Sequence, residues 1–184
     1  MKELSLHILD IVKNSLSAKA TLVKIGISES KSADTLRIRI KDNGTGMDPA
    51  LLQRVTDPFA TTRTTRKVGL GIPLFKLAAE QAGGHLEITS ELGVGTVVAV
   101  EMLRGHIDRS PIGDMAGTLS GLISMNAQAD FVYTHTTDRG EFTFDTREAR
   151  EMLGGVPLDT FEVVQWITDY IREGLAEIGA EQYE

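Results

Sequence analysis

The stretch Leu36-Arg-Ile-Arg-Ile-Lys-Asp-Asn-Gly-Thr-Gly-Met47 decides how the rest of the chain is read. Leu36, Ile38 and Ile40 alternate with Arg37, Arg39 and Lys41, the period-two pattern of a strand with one buried face. The strand runs straight into Asp42-Asn43-Gly44, which taken alone is ordinary turn chemistry. Towards the amino terminus Val23, Ile25 and Ile27 alternate with Lys24 and Gly26, so the two runs predict a hairpin. Before them Leu4, Ile8, Ile11, Val12 and Leu16 recur at helical spacing, while His7, Asp10, Asn14 and Ser17 share another face. That pattern is an amphipathic helix with a polar stripe.

Towards the carboxy terminus, Asp48 and Pro49 are cap and first-turn signals for a short helix over Pro49–Val55. The polar, basic run 61–67 reads as loop. A longer helix is expected from about Gly71 to Gly83-Gly84, with Leu74, Leu77, Ala78 and Ala82 on its buried face. Strands at 85–89 and 96–102 follow, joined across Leu92-Gly93-Val94-Gly95. This order of elements predicts an α+β fold, a two-layer sandwich of helices on a mixed or antiparallel sheet.

Residues 1–103 form one expected unit, and the connector 104–113 leads to a smaller α/β extension, residues 104–184. In the extension the pattern predicts a helix near Met115–Met125, a hairpin across Asp138-Arg139-Gly140, and two final helices. Asp145 with Glu148, and Asp159 with Glu162, have capping-box spacing. The stripe Val163, Ile167, Tyr170, Ile171 and Ile178 reads as core packing. No chemical motif stands out after Arg104.

Composition narrows the function. Apolar residues are 41% and charged residues 24% of the 184 positions, the balance of a globular chain. A net charge of -7 disfavours nucleic acid as a partner, because phosphate binding needs clustered cations. There is no cysteine, which removes disulfides and thiolate metal sites. His7, His85, His106 and His135 lack paired metal-ligand spacing. No signal peptide and no apolar run of roughly 18 residues is present, so no membrane partner is expected and the cytoplasm is the expected compartment.

Four short motifs and a glycine turn occur in order: Asp10-Ile-Val-Lys-Asn14, Asp42-Asn-Gly-Thr-Gly-Met47, Asp57-Pro-Phe-Ala-Thr-Thr-Arg63, Val68-Gly-Leu-Gly-Ile72 and Gly93-Val-Gly-Thr96. Each alone has a structural reading as a solvated face, a turn or a loop. Together, over residues 4–103, they resemble the N box, G1 box, ATP lid with F box, G2 box and final glycine-threonine element of the GHKL superfamily. That superfamily holds sensor histidine kinases, anti-sigma-factor kinases and mismatch-repair ATPases on a Bergerat-type ATP-binding fold.

The resemblance implies ATP and magnesium as ligands. Asp42 would accept from the adenine amino group with Thr96 assisting through water, and Gly44 and Gly46 would let the backbone pass close to the base. Asn14 would ligate magnesium, and Asp10 stands where hydrolysing members carry a water-activating glutamate, which makes it the candidate general base. Gly69, Leu70 and Gly71 would offer the phosphate-binding turn, and Thr61, Thr62, Arg63 and Lys67 would close over the terminal phosphates as a lid. Lys67 stands where sensor kinases often have the first glycine of the G2 box.

No helical hairpin bearing a phosphoacceptor histidine precedes Asp10, so the resemblance implies a detached protein kinase acting on a partner protein. Two alternatives stay open: an ATPase conformational switch of mismatch-repair type, and a non-catalytic ATP-sensing module. The acceptor and the oligomeric state, a homodimer included, are not fixed by these residues.

Overall fold

The computed structural model describes residues 3–57 and 70–181. Six helices and six strands follow in the order α1 (Leu4–Ser17), β1 (Leu22–Ser30), β2 (Thr35–Asp42), α2 (Pro49–Val55), α3 (Gly71–Gln81), β3 (His85–Glu91), β4 (Gly95–Leu103), α4 (Met115–Met125), β5 (Asp130–Thr137), β6 (Gly140–Asp145), α5 (Thr146–Met152) and α6 (Phe161–Glu177). The strands make one mixed sheet in the order β3-β4-β2-β1-β5-β6. Every pairing is antiparallel except that of β1 with β5. Contacts of α3 with α1, α1 with α4, and α4 with α6 set these helices in a row, and with the sheet they bury one core. The α+β sandwich expected from the patterning is therefore the observed architecture. No helix among the described residues is long and apolar enough to cross a membrane.

Strand alternation builds the core. Val23, Ile25, Ile27 and Glu29 of β1, and Leu36, Ile38, Ile40 and Asp42 of β2, all point to the helix side and are buried. Because Val23 pairs with Asp42 and Glu29 with Leu36, the apolar strip has one buried carboxylate at each end. Asn43 pins the Asp42 end: its Oδ1 accepts from the Thr21 and Leu22 amides at 2.9 Å each, and its Nδ2 donates to Thr21 Oγ1.

The extension after Arg104 continues the same sheet, with β5 along β1 and β6 at the edge. Its connector returns to α1, where the amides of Leu4 and Ser5 donate to the carbonyls of Pro111 and Ile112. At the far end, Glu29 accepts from His135 Nε2 at 3.0 Å, from the Glu181 amide at 2.8 Å and from Arg104 Nε at 3.1 Å. Burial alone would raise the Glu29 pKa, but these donors, His135 foremost, hold it below the ordinary carboxylate range.

Two local expectations change. Leu74 and Leu77 are 38% and 49% exposed, and the buried face of α3 is Ile72, Phe75, Ala79 and Ala82. That set has equally good helical spacing, and it wins because the Phe75 ring stacks on His7, with centroids 5.0 Å apart. The second change concerns caps. Asp145 caps α5 by accepting from the Arg147 amide, but α6 starts one residue after Thr160, with no side-chain cap from Asp159.

His7 is 2% exposed and its Nδ1 has no hydrogen-bond partner among the described residues, so the imidazole acts as a packing group. Burial, with a smaller contribution from the positive amino terminus, lowers its pKa to about 4, against the opposing pull of Asp10. The unfolded chain then binds the extra proton between about pH 6.5 and pH 4, so stability falls as pH drops through that window. In urea titrations the parent should lose about 3 kcal/mol across it, and His7→Phe should flatten the slope; an unchanged slope would contradict this assignment.

Two helical glycines give a second test. A methyl added at Gly121 in α4 meets nothing within 4 Å, whereas one at Gly174 in α6 overlaps the Phe142 ring. Gly121→Ala should stabilise the fold by about 0.5–1 kcal/mol through helix propensity. Gly174→Ala should cost about 1–3 kcal/mol from overpacking. Chemical denaturation of both variants should give shifts of opposite sign.

Candidate functional site

The site follows from where β2 ends. After Ile40 the next inward position is Asp42, so the alternation that buries three aliphatic side chains also carries a carboxylate into the helix-covered face. Asp42 is 8% exposed. Its Oδ2 accepts from Ser15 Oγ of α1 at 2.6 Å, and its Oδ1 accepts from the amides of Gly44 at 2.9 Å and Thr96 at 3.3 Å. A carboxylate offers about four acceptor positions, and three are taken by groups that fix its orientation. Asp42 also lines a cavity.

That cavity measures about 230 Å³. Ile11, Ile40, Met47, Val55, Ile72 and Val98 give it apolar walls, with Asp42 and Thr96 as polar points within and Asn14 also in the lining. A flat ring bearing a hydrogen-bond donor on its edge suits this chemistry, because apolar walls favour the faces and the fixed carboxylate selects the edge.

Neighbouring groups hold these walls. Ser90 Oγ accepts from the Met47 amide at 2.8 Å, donates to the Gly95 carbonyl at 3.0 Å, and lies 2.8 Å from Thr96 Oγ1. A side chain at Gly44 would come within 2.8 Å of the Ala18 carbonyl. Gly46 has φ +67° and its backbone is pressed on the carbonyl of Glu91, so both a left-handed residue and a missing Cβ are needed there. These two glycines are thus accounted for by protein packing around the cavity; Gly46 is also part of its wall.

The remaining sequence candidates fall into three groups. Asn14, Asp42, Gly46 and Thr96 come together on the cavity. Asp10 is outside its lining, but it lies against the start of α3, where a methyl added at Gly71 would sit 3.1 Å from Asp10 Cβ. Leu70 is the exposed residue before that helix, and its side chain makes no cap hydrogen bond. Thr61, Thr62, Arg63, Lys67 and Gly69 lie outside the described residues.

Sequence reasoning missed Ser15 and Ser90. Ser15 follows Asn14 and faces the core at 3% exposure, where a buried hydroxyl needs a partner; this is the only signal that could have found it. Ser90 is the inward position of β3 opposite Thr96, visible once the β3–β4 register is known.

Sensor protein SrrB of Staphylococcus aureus is 39% identical over 85 residues, 44% of this chain and 14% of that protein. The chain therefore spans about a seventh of such relatives. Among solved structures, the N-terminal domain of a DNA repair protein aligns over 79% of this chain and 52% of its own, with TM-score 0.51 and 17% identity. The MutL ATPase domain of Aquifex aeolicus, complexed with ADP, aligns over 84% and 70% with TM-score 0.45 and 20% identity. Residues 2–105, more than half of the chain, match the family described as histidine kinase-, DNA gyrase B- and HSP90-like ATPases, and the chain belongs to that family.

Proposed function

We propose that this chain binds ATP with magnesium in the Asp42 cavity and serves as a protein kinase module, transferring the γ-phosphoryl group to a partner protein. The observation that carries the nucleotide reading is the Asp42 carboxylate, held by Ser15, Gly44 and Thr96 in the lining of an otherwise mostly apolar cavity. Adenine presents an amino donor at the position where guanine presents a carbonyl, so a fixed acceptor attracts the first and repels the second.

Asn14 would hold magnesium through its side-chain oxygen, a hard donor that suits this ion, and magnesium would neutralise charge on the phosphates. The start of α3 at Gly71 brings backbone amides and the positive end of the helix to the same side of α1 as Asp10. Asp10 would accept the proton of an attacking hydroxyl as ADP leaves. The relative's printed name, a sensor protein, supports a signalling role for the module.

His7 is not the acceptor in this reading. It is buried under Phe75, and at ~1.5 Å rise per residue it stands roughly 10 Å along α1 from Asn14. Incubation with γ-labelled ATP should give no acid-labile label on the chain alone, and a cognate partner should be labelled in trans. Autophosphorylation abolished by His7→Gln would overturn the reading that the acceptor lies on a partner protein.

Calorimetry tests the base assignment. The parent should prefer ATP to GTP, and Asp42→Asn should weaken ATP binding by about tenfold to a hundredfold, the effect of losing a charge-assisted bond of about 1.5–3 kcal/mol. ATP at about 100 times its dissociation constant should stabilise the fold by roughly 2.7 kcal/mol. Equal affinity for the two nucleotides would refute the adenine contact.

A further inference from the structure

Among the described residues of the extension six large apolar side chains are exposed, and four of them, Met125, Met152, Val156 and Phe161, are 68%, 75%, 46% and 79% exposed. The topology brings them to one end. Asp114, just before α4, faces Arg172 of α6 at 3.7 Å. The two helices run antiparallel from that pair, so Met125 and Phe161 stand equally far along them, at about 16 Å for a rise of ~1.5 Å per residue. α5 reaches the same end, because Arg150 donates to the carbonyls of Ala127 and Ala129 directly after α4. Met152 closes α5, and the turn Gly154-Gly155 beyond it is open, with nothing within 4 Å of an added methyl at either glycine.

This end of the extension is also the nucleotide end of the sheet. The Asp130 amide donates to the Thr21 carbonyl at 2.8 Å, and Asp130 pairs with Leu22, next to the Asn43 staple. Crossing three strand spacings from β2 to β6 covers about 14 Å. A polypeptide seated here would therefore lie beside the cavity without blocking it.

The charge around these side chains is net negative. Glu148, Glu151, Asp159 and Glu162 are exposed. Arg147 and Arg150 are engaged by Asp145 and Asp130. From Asp145 to Glu177 there are eight carboxylates, three arginines and no lysine.

We propose that this surface docks a basic amphipathic helix of the partner protein, its apolar side on Met125, Met152, Val156 and Phe161 and its cations over the acidic rim. The proposal rests on the reading that the module acts on a second polypeptide. Flexible methionines with an aromatic anchor adapt to a helix face, and an uncompensated acidic rim selects positive charge. The same rim repels an anionic bilayer, and it repels a second copy, since a two-fold contact would set like rims against each other.

A helical peptide of about 16 residues, with leucine at core spacing and lysine elsewhere, is the probe. Calorimetry should show binding that weakens with salt and disappears when the lysines are replaced by glutamate. The double variant Met152→Ser with Phe161→Ser should bind at least about tenfold more weakly, and so should Glu151→Lys with Glu162→Lys. Both variants should keep the ATP-induced thermal shift of the parent, which separates failure here from failure of the nucleotide reading. Peptide affinity unchanged in either double variant, equal binding of the glutamate peptide, tighter binding to anionic vesicles, or a dimer in ultracentrifugation that Phe161→Ser abolishes would overturn the proposal.

Discussion

The period-two register of β2 governs the candidate site. Shifting that strand by one residue would turn Leu36, Ile38 and Ile40 to solvent and bring Arg37, Arg39 and Lys41 into the core, so the register is held by the whole apolar face. Asp42 is the next inward position and inherits that certainty. A buried carboxylate costs several kcal/mol unless donors replace its water. Here Ser15 and the amides of Gly44 and Thr96 do so, while the carboxylate stays in the cavity lining. The hydrophobic pattern thus sets where the polar recognition point stands.

The other end of the same strip shows why a buried carboxylate is not by itself a site. Glu29 receives His135, Arg104 and the Glu181 amide, and Glu181 in turn accepts from Arg109 and the Ile112 amide. Tyr133, whose hydroxyl lies 2.6 Å from His135 Nδ1, has its pKa raised well above the ordinary phenol value by burial and by the Glu29 charge, so it remains neutral. Glu29 is enclosed by protein groups drawn from β5, the connector and the tail, with Arg104 Nη2 also 3.1 Å from its Oε2. It ties the extension to β1, while Asp42 lines the cavity.

Much of this was legible from residues near each other in sequence. The alternation of β1 and β2, the cap at Asp48 and the glycines around Asp42 are local signals, and the structure has each of those elements in place. What escaped is non-local. Whether α3 buries Leu74 or Phe75 depends on the ring of His7 on another helix, since both sets share helical spacing. Ser15 as a support for Asp42 needs the distance between α1 and β2, and the parallel pairing of β5 with β1 needs α4 as the crossover. Position in sequence separates the extension from residues 2–105, but backbone pairing makes it part of the same sheet.

Helix α1 is where these parts meet mechanically. Its Leu4 and Ser5 amides anchor the connector, its flank packs on α4, and its Asp10 lies against the start of α3. Ile11, Asn14 and Ser15 belong to the cavity wall, with Ser15 bonded directly to Asp42. One helix therefore supports the cavity wall on one flank and the α4–α6 layer on the other, so the register that fixes Asp42 in β2 and the packing that holds the extension meet in the same fourteen residues.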